Sequence, residues 1–102
     1  MKRAKTGLVE MELSRVAPSA ESVYYVLASI AVHNRLSRAA VVRRYQITWP
    51  GGRFEAQPRQ LTVPPQSTRP WRARIDPSCG DLRALLDRPS GARIEALEVD
   101  SP

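Results

Sequence analysis

The stretch from Val41 to Phe54 constrains the fold more than any other part of the chain. Tyr45, Ile47 and Trp49 recur at every second position, and Arg44, Gln46 and Thr48 fill the positions between. Successive side chains of a β-strand point to opposite sides, so this period gives one apolar face and one wet face. Pro50-Gly51-Gly52 then stops the strand and turns the chain, and residues 53–56 read as a short return strand. An apolar strand face must be covered by a second layer, and the segment therefore predicts an all-β architecture.

The same alternation recurs along the chain. Val9, Met11 and Leu13 oppose Glu10, Glu12 and Ser14 in a first strand over 8–16, ended by Ala17-Pro18-Ser19. The longest apolar run, 23–33, puts Tyr24, Val26, Ala28, Ile30 and Val32 on one face, and its Val, Ile and Tyr content favours a central strand over a helix. Residues 34–38 make a turn, with Asn34 suited to a left-handed or side-chain-bonded position. Leu61 and Val63 form a short edge piece bracketed by Pro58 and Pro64-Pro65. Gln66-Ser67-Thr68 is a polar turn, after which Trp71, Ala73 and Ile75 alternate with Arg72 and Arg74 in a fifth strand. Leu82, Leu85 and Leu86 predict one or two helical turns over 81–87, capped by Asp81 or Ser78. A last strand over 92–99 has Ile94 out of phase with Leu97 and Val99, which predicts a bulge near Glu95. The expectation is an antiparallel β-sandwich of six to seven strands with one short helix near the C-terminus. Residues 8–100 would form its single domain, behind a frayed basic segment at 1–7. Trp49 and Trp71 are expected in the core near sheet edges, each indole N–H reaching a partner.

The order of features resembles immunoglobulin-like or fibronectin-like accessory domains of bacteria, of the FxLYD or LEA-14 sort. The pattern is carried by an apolar strand ending in Asn34, the polar turn 35–38, the alternating strand Val41 to Trp49, the hairpin Pro50-Gly51-Gly52, and Leu61 to Thr68 before Trp71. The ApaG family shares the central pattern, but its Gly-x-Gly-Val stretch has no counterpart here. The resemblance spans roughly residues 22–99. It implies an immunoglobulin-like sandwich and carries no catalytic residues with it; folds of this kind serve many unrelated roles.

With 102 residues the chain has room for one core. Its single cysteine, Cys79, allows no internal disulfide and no cysteine-based zinc site, and suits a reducing compartment. No apolar run is long enough for a transmembrane helix. The start, Met1 to Lys5, looks like the n-region of a signal peptide, but Glu10 and Glu12 fall where an unbroken apolar h-region would have to lie. A cytoplasmic protein is expected; the alternative is a domain of a larger exported protein. His33, the sole histidine, reads as a strand-edge side chain meeting solvent rather than a general base, and Cys79 as a bystander thiol in a loop. There is no metal-ligand spacing and no phosphate-cradling glycine loop. The reading is of a protein that is not an enzyme and has no catalytic residue, cofactor or metal.

Charge is the remaining signal. Residues 35–74 hold nine arginines against Glu55 alone, within a net charge of +6. Fourteen of the sixteen basic residues are arginine, which fits either the codon bias of a GC-rich genome or a surface for phosphates and carboxylates. Arg44 falls on the wet face of one strand and Arg72 and Arg74 on that of another, with Arg43 out of phase near a rim. The implied topology makes those strands neighbours, so Arg43, Arg44, Arg72 and Arg74 are expected to form one basic, partner-binding face. The expected function is protein–protein interaction or assembly, through that face or a strand edge, with an acidic protein surface or a second copy as partner. The alternative is binding of a nucleic-acid backbone by the same arginines.

Overall fold

The computed structural model describes residues 2–3, 9–19 and 25–101, with side chains from Val9 onward. Its strands are β1 (Lys2–Arg3), β2 (Val9–Pro18), β3 (Val26–Asn34), β4 (Ala40–Trp49), β5 (Gly52–Ala56), β6 (Thr62–Val63), β7 (Ser67–Ile75) and β8 (Arg93–Ser101), with one helix, α1 (Leu82–Asp87). They form two antiparallel sheets, as a sandwich requires. One runs β1-β8-β4-β5, with the short β6 also paired to β4. The other is β2-β3-β7.

The alternation sets what lies between the sheets. Val26, Ala28, Ile30 and Val32 from β3 are buried, as are Tyr45, Ile47 and Trp49 from β4, and Ala73 and Ile75 from β7. Leu61, Val63, Leu85 and Val99 join them, each fully inaccessible, together with Val9, Ala40 and Val42. Asp81 caps α1 as expected, its carboxylate accepting from the Ala84 amide at 3.1 Å, and the helix buries Leu85.

Asn34 does more than make a turn. Its side chain is buried, Nδ2 donates to the carbonyls of Arg38, Val63 and Pro64 at 2.8, 3.1 and 3.0 Å, and Oδ1 accepts from the Leu36 amide at 2.9 Å. A buried amide is tolerated only when both ends are satisfied, and here that condition ties the β3–β4 turn to the strand β6.

The Pro50-Gly51 hairpin is clasped from outside. Gly51 has φ +108°, the left-handed side that glycine supplies behind a proline in a type II turn. The Asp81 amide donates to Gly51 O at 3.0 Å, and the Trp49 indole N–H to Asp81 O at 2.8 Å. A Cβ on Gly52 would lie 2.2 Å from the Trp49 ring, so the indole packs where only glycine leaves room.

Several expectations are corrected. The strands carrying Arg44 and Arg72 are not neighbours: β4 pairs β8, β5 and β6, whereas β7 pairs β3. Lys2 and Arg3, expected to be frayed, pair with Ser101 and Asp100 of β8; the rest of that segment, and Tyr24, lie outside the described residues. β7 begins at Ser67, so the expected turn is partly strand. The irregularity in β8 falls at Leu97 rather than Glu95, because the register with β4 passes from Arg44↔Glu98 to Tyr45↔Ala96. Trp71 is only half-buried: it lies on the inner face of β7, but at an outer edge of the sandwich.

Candidate interaction surface

The outer face of β2-β3-β7 can be laid out from its register. Four cross-strand rows run over it: Glu10–His33–Thr68, Glu12–Ala31–Pro70, Arg15–Ser29–Arg72 and Ala17–Leu27–Arg74. A slip between Leu13 and Arg15 in β2 inserts one residue and turns Arg15 outward. The charges are therefore segregated, with acids at one end of the face and three arginines at the other.

The acidic end is internally compensated. His33 Nδ1 lies 2.8 Å from Thr68 Oγ1 and Nε2 lies 3.2 Å from Glu12 Oε2. Glu10 pairs with Arg35 at 3.0 Å. The carboxylate–imidazole–hydroxyl order is that of an acyl-transfer triad. Its setting is different: the Glu12 side chain is 67% exposed, and the groove around it is floored by strand side chains and open to water. Catalysis by such a relay depends on a site that excludes solvent and aims donors at developing charge. Here the row joins three strands of a sheet. His33 is thus a central-strand residue with partners, not an edge histidine meeting solvent alone.

Among the described residues the basic end has no compensating carboxylate. Among the described residues Arg15 and Arg72 have no anionic partner, and Arg74 stacks on Tyr25, its guanidinium carbon 3.8 Å from the ring centre. Arg15 and Arg72 flank the small Ser29, roughly 10 Å apart by two strand spacings. Arg69, on the inner side of β7, is used structurally: it donates to Gln60 O and Thr62 O at 3.1 and 2.9 Å and lies over Trp71.

Arg43 and Arg44 belong to the other sheet, so the expected four-arginine face does not exist. A bulge in β4 keeps both off the core between the buried Val42 and Tyr45. Arg43 Nε donates to Asp100 Oδ2 at 2.8 Å. Arg44 reaches Glu55 at 3.4 Å, and Arg53 holds the same carboxylate at 2.9 Å. Arg15 was missed because unbroken alternation from Leu13 assigns it to the inner face, and the change of phase at Val16 was not read as a bulge.

Among the described residues no three His, Cys, Asp or Glu side chains group as metal ligands, and no helix is long and apolar enough to cross a membrane. Cys79 is a half-buried free thiol in a 3₁₀ turn at Pro77–Cys79. Comparison with protein-family models, with curated proteins and with solved structures finds no match to the chain.

Proposed function

We propose that the chain is a non-enzymatic interaction module that docks an acidic protein surface through Arg15, Arg72 and Arg74. One observation carries this reading: three arginines share one end of a sheet face without a carboxylate among the described residues to neutralise them. Uncompensated like charges disfavour the isolated sheet slightly, and an anionic partner relieves that. A protein is favoured over a nucleic-acid strand because this face offers little for base stacking. Tyr25 lies under Arg74, and Trp71 turns to the inner side.

The test compares the parent with R72E/R74E and with R59E/R88E, which carries the same charge change on exposed loops. Each is used to capture partners from nuclease-treated lysate. The reading expects one partner set to be lost with R72E/R74E only. Equal capture by all three proteins would refute it. Binding that survives only without nuclease, and falls steeply with salt, would assign the arginines to a phosphate backbone instead.

A further inference from the structure

We infer that the partner is held as an added strand on the free edge of β7, with acidic side chains at alternate positions; this rests on the reading of Arg72 and Arg74 as the docking arginines. β7 is the last strand of its sheet, paired with β3 along its whole length and with no strand on its other side among the described residues. Pro70 fixes which amides point outward. It has no N–H to give β3, so it takes the position whose amide side faces away from the sheet. Arg72 and Arg74, two and four residues on in an unbroken register, share that parity. Their amides point to the open edge while their side chains stand on the outer face.

A strand laid along this edge has its own side chains in the same alternation. Acids two positions apart fall directly opposite Arg72 and Arg74, at the spacing where cross-strand opposite charges attract. The residue between them falls on the inner side opposite Ala73, the next one out falls opposite the half-buried Trp71, and both are best apolar. Pro70 ends the pairing at one side, so the docked segment is short.

The same arginines say what does not bind. A second copy pairing β7 to β7 would set arginine against arginine, which is how natural sheets discourage edge-to-edge association. The edge thus rejects its own kind and accepts an acidic–apolar–acidic strand, the β-augmentation mode of peptide recognition.

The probe is a fluorescein-labelled ten-residue peptide alternating glutamate with valine and threonine. Its controls are a peptide of equal composition with the glutamates clustered, and the alternating peptide N-methylated at the amides of its glutamates, the ones an antiparallel strand turns toward Arg72 and Arg74. Binding to the full chain is read by anisotropy, and amide hydrogen exchange is read at Arg72 and Arg74. The inference expects the alternating peptide to bind about tenfold more tightly than either control, with both amides newly protected. Equal binding of all three, with the amides unprotected, would overturn strand addition while leaving acidic docking in place. No binding by any peptide, together with unchanged partner capture by R72E/R74E, would remove the docking reading itself.

Discussion

The two sheets treat most of their arginines in opposite ways, with the exposed Arg93 at the start of β8 an exception on the larger sheet. On the five-stranded sheet, Arg43, Arg44 and Arg53 each meet a carboxylate from a neighbouring strand or from their own, at Asp100 or Glu55. On the three-stranded sheet the acids are gathered at one end, held by His33 and Arg35, and the arginines at the other end stand without a carboxylate among the described residues. Abundance of arginine alone does not mark a binding surface, since codon usage alone produces it. What distinguishes the second sheet is that its charges are sorted and left open.

The largest expected difference between the sheets lies in their tryptophans. Trp49 is 6% exposed, fills the space over Gly52 and hydrogen-bonds Asp81. Trp49→Ala should cost about 3–5 kcal/mol, enough to unfold much of a small domain. Trp71 is partly accessible at the core's edge, so Trp71→Ala should cost about 1–3 kcal/mol, below what its sequence pattern suggested. Urea titrations of both variants measure this, and equal losses would mean that the two tryptophan sites are packed alike.

Tyr45 is buried on β4, packs against Phe54 and faces the Trp71 indole of β7. Burial raises its pKa above the ordinary 10.0, and the Trp71 indole N–H, facing the hydroxyl, partly opposes the rise. A phenol whose folded pKa is raised binds its proton more firmly when folded. The associated stability is complete below pH 10 and is lost as pH rises through the folded value. Melting temperature should therefore fall above about pH 10 in the parent, and fall less in Tyr45→Phe. A drop of the same size in the variant would assign it to other groups.

The smallest effect separates the arginines themselves. Arg44→Glu would put a third carboxylate beside Glu55 and Glu98 and should destabilise by about 1 kcal/mol. Arg72→Glu removes repulsion from its own end of the face and should change stability by less than about 0.5 kcal/mol in either direction. A larger loss at Arg72 than at Arg44 would break the contrast.

The sequence made the strand faces legible, because alternation is a local property. Val26 to Val32 and Tyr45 to Trp49 are buried in the expected phase, and Asp81 caps the expected helix. What it did not reveal was which strand lies beside which. β4 and β7 alternate equally well in one sheet or in two, and only the packing of whole sheets decides between them. Register was hidden for the same reason. Glu12, His33 and Thr68 lie 21 and 35 positions apart, and nothing near any one of them announces the others. The bulge expected near Glu95 falls two positions on, at Leu97, and the one beside Ser14 was not anticipated, because the place of a bulge depends on the partner strand.

The clasp on the Pro50-Gly51 hairpin also has a bearing on time. The hairpin closes over two residues and can form early, on a scale of microseconds. Its clasp comes from Asp81, about thirty positions later, and closing a loop of that length costs on the order of 3 kcal/mol in chain entropy. β8, which completes the five-stranded sheet, comes after the clasp in sequence and pairs with β4 half the chain away. Until both arrive, the Trp49 indole has no acceptor and the β8-side edge of β4 is exposed. The same glycines that let the finished hairpin fit under the tryptophan thus leave its seating to a late, long-range step of folding.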